Sequence, residues 1–106
     1  MKIALINENS QAAKSQQIFT VLDKVAKKYG HSTFNYGTKS AEAIPQLTYV
    51  QAGLMTAILL NTKCVDFVVT GCGTGEGAML AANSFPNVLC GHIVDPSDAY
   101  MFMQIN

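Results

Sequence analysis

The chain has 106 residues, of which 49% are apolar and 13% are charged, a composition that predicts one globular domain with a modest core. Seven lysines and no arginine balance seven acidic residues, which argues against nucleic acid as a partner. The lack of arginine excludes a guanidinium clamp for a phosphate or a carboxylate within this chain. No apolar run approaches the roughly 20 residues of a membrane span, and the three cysteines have no disulfide or zinc-site spacing, so we predict a cytoplasmic protein with reduced thiols and no membrane partner.

The first half of the chain alternates between strand-like and helix-like patterns. Residues 2–7 form a short apolar run typical of a buried strand. Residues 11–30 place apolar side chains at helical spacing and end at Gly30, which suits a left-handed helix C-cap. A second strand is predicted over 31–36 and a second helix over 46–61.

The second half continues the alternation. Residues 65–70 are almost continuously apolar, as expected of a strand covered on both faces. A helix is predicted over 76–84, a fourth strand over 87–94 and a last helix over 96–106. This order predicts right-handed crossovers and a Rossmann-like α/β fold, a three-layer sandwich with a parallel sheet, in a single domain over 1–106.

The motif most informative about function is GCGTGEG (71–77), which we call the glycine loop. It leaves the third predicted strand and leads into a helix, at the sheet edge where ligands of parallel α/β folds bind. Its amides and the helix N-terminus offer positive potential to an oxyanion, and the same field should lower the pKa of Cys72. A small packing cysteine in a tight turn is the structural alternative. Dinucleotide-binding and P-loop motifs do not match, because the glycines follow the third strand and no Lys-Ser/Thr pair ends the loop.

Three segments carry a resemblance to a known family: MKIAL at the start, CGTGEGAMLAAN in the middle and DPSDAYMFMQIN at the end. They resemble the type B ribose-5-phosphate isomerases, a family that includes the galactose-6-phosphate isomerases. The resemblance implies a Rossmann-like fold, a homodimer or homotetramer, no metal and no cofactor. It also implies aldose–ketose isomerisation of a small-molecule sugar phosphate, ribose 5-phosphate or galactose 6-phosphate, by proton transfer through a cis-enediolate.

The resemblance implies two candidates for the catalytic base. One branch of the family uses a cysteine at the position of Cys72, and another has serine there and uses a glutamate at the position of Glu76. This chain has both residues. We favour Cys72, because Thr74 matches the cysteine branch, in which this threonine assists ring opening. Glu76 remains the alternative, and a favourable charge in the first turn of a helix also explains it.

Substrate contacts implied by the resemblance lie in the loop, after the first strand and at the C-terminus: Gly73, Gly75, Gly77, Glu8, Asn9 and Asn106. Three positions depart from the family pattern. Glu8 and Asn9 replace an Asp-His pair, for which a polar turn capped by Asn9 or Ser10 is an equal explanation. Ile105 stands where the family has a histidine before the asparagine corresponding to Asn106.

Family members continue with a further strand and a helix that carry phosphate-binding arginines, so the chain is interpreted as the family domain without those elements. A non-catalytic sugar-phosphate-binding or structural subunit is therefore the alternative function. His92 is interpreted as a packing histidine of the fourth predicted strand, and the sequence does not decide between ribose and galactose phosphates.

Overall fold

The computed structural model describes residues 1–105 and contains one parallel sheet in the strand order β2-β1-β3. The strands are β1 (Lys2–Asn7), β2 (Ser32–Asn35) and β3 (Phe67–Gly71). The α-helices are α1 (Ser15–Lys28), α2 (Tyr49–Asn61), α3 (Glu76–Asn83) and α4 (Pro96–Ile105), and a 3₁₀ helix covers Asn9–Lys14. The predicted Rossmann-like α/β fold is confirmed.

The core is built on the central strand β1. Ala4 and Ile6 are fully buried and pack with Ala52 of α2. Side chains alternate along a strand, so the buried Ile3 and Leu5 point to the other face of the sheet, where a right-handed crossover places α1. The sheet is thus a middle layer between helices.

The carboxyl ends of the three strands meet at one edge. Asn7 pairs with Gly71 in the parallel register of β1 and β3, and the Glu8 amide donates to the Gly71 carbonyl at 3.2 Å. After β2, the Thr38 amide donates to the Asn7 carbonyl at 2.9 Å. A Cβ at Gly37 would lie 2.3 Å from the Asn7 nitrogen, so the close approach of these two segments requires glycine.

The predicted helices form with shifted boundaries. The first segment divides into the 3₁₀ helix and α1, and Gly30 follows with φ +79°, as predicted for the left-handed cap. Helix α2 begins at Tyr49 instead of residue 46, because Thr48 and Gln51 form a reciprocal capping box. The local cap therefore decides this helix start.

The predicted fourth strand over 87–94 is wrong. The segment 88–94 and β3 border the same cavity, but no backbone hydrogen bond joins them within residues 1–105. Asn83 of α3 satisfies the backbone of Cys90 instead, donating to its carbonyl at 2.8 Å and accepting from its amide at 2.9 Å. The phenyl ring of Phe102 packs where a side chain of Gly91 would extend, 2.5 Å from an ideal Cβ. Apolar patterning typical of a strand is present here. The side chain of Asn83, however, takes up the backbone hydrogen-bonding groups of Cys90 that a neighbouring strand would need.

None of the helices in the part of the chain that the structure describes is long and apolar enough to cross a membrane. The cytoplasmic location stays a prediction.

Candidate active site

The structure brings the glycine loop and the turn after β1 together. Cys72 follows Gly71, and Glu8 follows Asn7, so the paired strand ends place the two segments side by side. Ser10 reaches the loop, since its Oγ lies 3.7 Å from an ideal Cβ on Gly73. The predicted candidates Cys72, Glu8 and Asn9 thus belong to one edge of the sheet, as expected for neighbouring parallel strands.

Backbone amides of the loop are directed at the sulfur of Cys72. The Gly75 amide donates to Sγ at 3.2 Å, and Gly75 has φ +84°, a left-handed conformation that favours glycine. Burial is the largest single influence on the thiol and raises its pKa, but hydrogen bonds from the amides of Ala78, Gly75 and Thr74 and from the Thr74 hydroxyl together outweigh it. The pKa of Cys72 is therefore lower than that of an ordinary thiol, as the loop predicted.

Thr74 and Glu76 have different surroundings. The Thr74 hydroxyl contacts the Cys72 thiol and accepts a hydrogen bond from the Glu76 amide at 3.3 Å. The Glu76 side chain is exposed in the first turn of α3, and no side-chain hydrogen bond or ion pair holds its carboxylate within residues 1–105. A carboxylate at this place is stabilised by the helix dipole. Donors are therefore gathered around Cys72 and not around Glu76.

Glu8 is buried, although the sequence predicted a polar turn or a ligand contact. Its carboxylate caps the 3₁₀ helix by accepting from the Ser10 amide at 2.9 Å and from the Ser10 hydroxyl. Glu8 itself, and not Asn9 or Ser10, is thus the cap. Asn9 is exposed, and its backbone amide donates to the Leu47 carbonyl at 2.7 Å. The side chain of Asn9 therefore faces away from the core. The Glu8 carboxylate is held by Ser10.

His92 is a site neighbour that the sequence interpretation missed. Its Nε2 lies 2.9 Å from the carbonyl oxygen of Thr74, and the ring lies 2.7 Å from an ideal Cβ on Gly75. A carbonyl can only accept, so this hydrogen bond requires the proton on Nε2. The sequence carried no local signal for this contact, because 18 positions separate the two residues. Ser10 was considered only as a cap.

The remaining predicted contacts are the other loop glycines and the C-terminal residue. An ideal Cβ on Gly77 would lie 3.4 Å from the Tyr49 ring, so α2 limits the space at that point. Asn106 lies outside the described residues. Over residues 1–105, no cluster of three or more His, Cys, Asp or Glu side chains could hold a metal ion.

A cavity of about 790 Å³ opens behind the loop, between β3 and the segment 88–94. Its wall includes Cys72, Thr74 and His92, together with apolar side chains of both segments. Cys90 also lines it, and burial raises the pKa of that thiol. The two cavity cysteines thus differ in the direction of their pKa shifts, because only Cys72 receives amide donors.

Comparison with known proteins places these features in context. The sequence profile of the ribose/galactose isomerase family matches residues 3–106. A 4-deoxy-L-threo-5-hexosulose-uronate ketol-isomerase is 61% identical with a TM-score of 0.93, over 96% of this chain and 48% of that one. A ribose-5-phosphate isomerase from Vibrio parahaemolyticus is 52% identical with a TM-score of 0.93, over the same shares.

A more distant structure, ribose-5-phosphate isomerase B from Clostridium thermocellum, is 29% identical with a TM-score of 0.65, over 82% of this chain and 54% of that one. The chain thus spans about half the length of the solved relatives that it matches. No curated protein matched the sequence.

Proposed function

The chain belongs to the ribose/galactose isomerase family, and from this premise we propose that it isomerises a sugar phosphate between aldose and ketose forms. The substrate is ribose 5-phosphate or galactose 6-phosphate, and the reaction is proton transfer through a cis-enediolate. One observation carries the proposal: the sulfur of Cys72 lies among amide donors of the glycine loop, beside the turn that follows the neighbouring strand.

Cys72 is the proposed base. Removal of a proton next to a carbonyl makes the carbonyl oxygen anionic. The site therefore needs a base at the C–H proton and preorganised hydrogen-bond donors at the neighbouring oxygen. The lowered pKa of Cys72 gives it a larger thiolate fraction at a given pH than an ordinary cysteine has. Amides of Gly73 and Gly77 would bind the developing oxyanion, together with Asn106, whereas the Gly75 amide, also predicted to do so, already donates to the Cys72 sulfur. The Thr74 hydroxyl, next to the sulfur, would assist ring opening.

Substrate hydroxyls would be bound by the turn after β1. Ser10 holds the Glu8 carboxylate in a fixed orientation, and the exposed Asn9 presents an amide that can both donate and accept. Glu76 is the second candidate base, but its carboxylate has no positioning contact among the described residues. Positioning is what separates a general base from a merely ionised side chain.

A second candidate function is ketol isomerisation of an unphosphorylated hexosulose uronate. One observation favours it: the relative at 61% identity is described as such an enzyme. The proton transfer would be the same, because both reactions shift a carbonyl between C1 and C2. At the far end of the substrate, a phosphate would be bound in the first candidate function and a carboxylate in the second.

Exchange of solvent deuterium into the substrate tests the function. The protein is incubated in D₂O with ribose 5-phosphate, galactose 6-phosphate or a 5-hexosulose uronate, and deuterium at the reacting carbon is followed by NMR. Exchange with a phosphate supports the first proposal, and exchange with the uronate alone supports the second. No exchange with any of them would leave the non-catalytic binding or structural subunit.

The proposed assembly is a homodimer or homotetramer. Helix α2 exposes one apolar stripe of Val50, Leu54 and Ile58, and Leu80 of α3 lies beside it; each is at least 47% exposed. A contiguous apolar surface of this kind is commonly buried by a partner. Sedimentation velocity at micromolar concentration tests the proposal, and a monomer would contradict it.

A further inference from the structure

The segment 88–94 is anchored on one side to the end of α3 and on the other to the glycine loop. The two hydrogen bonds between Asn83 and the backbone of Cys90 attach the segment to the helix. Gly91 lets the ring of Phe102 pack directly against the backbone. The next residue, His92, is thereby carried to the loop, where its ring contacts Thr74 and Gly75.

We propose that His92 is a positioning residue for the proposed isomerase site: its Nε2–H donates to the Thr74 carbonyl and keeps the loop amides directed at the sulfur of Cys72. The Thr74 carbonyl belongs to the same peptide unit as the Gly75 amide, which donates to the Cys72 sulfur. A hydrogen bond that fixes one end of a planar peptide also fixes the direction of the other. His92 therefore acts on Cys72 through one peptide bond.

The loop has few other restraints at this point. Gly75 has a positive φ, and the hydrogen bond from the Met79 amide to the Gly75 carbonyl at 3.1 Å holds the next peptide, Gly75–Glu76, and not the Thr74–Gly75 peptide. Glycine loses more conformational freedom on ordering than other residues, so a loop with four glycines needs an external restraint to hold one conformation. His92 supplies this restraint from a segment that is itself attached to the far end of α3.

The test measures the reactivity of the Cys72 thiol, so it needs no turnover. Alkylation of Cys72 by iodoacetamide is followed from pH 5 to 9 by peptide mass spectrometry in the wild type, His92→Phe and His92→Gln. Phenylalanine keeps an aromatic ring without a donor, whereas glutamine keeps an N–H donor at a similar reach. The charged side chains of the bordering segments, Glu8 and Glu76, are unchanged in every variant.

His31→Phe is the matched control. His31 contacts the N-terminal amine through Nδ1 at 2.9 Å, at the opposite end of β1. We expect His92→Phe to lower the Cys72 rate at pH 7 about fivefold, the effect of losing roughly one hydrogen bond of alignment. We expect His92→Gln to recover most of the rate and His31→Phe to match the wild type.

Asn83→Ala tests the same link without changing the histidine, and we expect a smaller loss in the same direction. Alkylation of the partly buried Cys90 reports whether each variant stays folded. Wild-type Cys72 rates in both His92→Phe and Asn83→Ala would overturn the proposal, as would His92→Gln reacting as slowly as His92→Phe. If Cys72 depends on His92 but no substrate exchanges deuterium, the proposed function fails and the positioning role stands.

Discussion

The Gly75 amide donates to the Cys72 sulfur at 3.2 Å, within the turn that follows the carboxyl end of β3. Because amides of Ala78 and Thr74 also approach this sulfur, the thiolate is solvated by the protein backbone. The relationship between these two residues leads to a measurable difference between the three cysteines.

We expect Cys72 to be alkylated at lower pH than Cys90. The thiolate fraction rises as pH passes through the pKa, so the lowered pKa of Cys72 moves its reaction to lower pH, and the raised pKa of Cys90 moves its reaction to higher pH. Site-resolved alkylation with iodoacetamide from pH 6 to 9 measures both, with the exposed Cys64 as accessible reference. Equal profiles for all three thiols would remove the evidence for an activated Cys72.

Substitution separates the two candidate bases. Cys72→Ala should lower isomerisation by about 10²–10⁴-fold, the usual contribution of a positioned base. Cys72→Ser should resemble it, because serine keeps the size but loses the basicity. Glu76→Gln should cost at most about fivefold, the size of a helix-dipole effect. Deuterium exchange retained by Cys72→Ser and lost in Glu76→Gln would assign the base to Glu76.

Two glycines with the same conformation separate backbone strain from the His92 contact. Gly30 has φ +79° with nothing within 4 Å of an added Cβ, whereas Gly75 has φ +84° with the His92 ring at 2.7 Å. Gly30→Ala should cost about 1–2 kcal/mol of stability from strain alone. Gly75→Ala should cost roughly 0.5–1.5 kcal/mol more, because the ring must move and give up its hydrogen bond.

Urea unfolding of the two variants and the wild type measures these differences. Equal losses for Gly30→Ala and Gly75→Ala would show that the contact between His92 and the loop adds nothing to stability.

Charge on the apolar stripe of α2 should dissociate the proposed oligomer. Leu54→Lys places an ammonium group in a surface that would be buried, and an unpaired buried charge is strongly unfavourable. Val21→Lys is the control, since Val21 is 59% exposed on α1, across the sheet. Sedimentation velocity should show smaller particles for Leu54→Lys only. The same mass for both variants would exclude α2 from the interface.

Much of the fold follows from local patterning. The apolar run of β1, the helical spacing before Gly30 and the glycine loop between β3 and α3 are each encoded by neighbouring residues, so the sequence predicts them. The prediction of a fourth strand was wrong because strand pairing depends on a partner strand that is distant in sequence. Asn83 occupies the hydrogen-bonding groups of Cys90, and no hydropathy pattern reports that competition.

The sequence by itself determined the order of the three strands and four α-helices, the family motif and the position of Cys72 in a glycine-rich turn. Only the tertiary structure decided which groups surround that thiol. The burial of Glu8 and the contact of His92 with Thr74 arise where separate segments meet in space. Hydrogen-bond geometry and desolvation depend on distances between atoms, and these distances are set by packing of the whole chain.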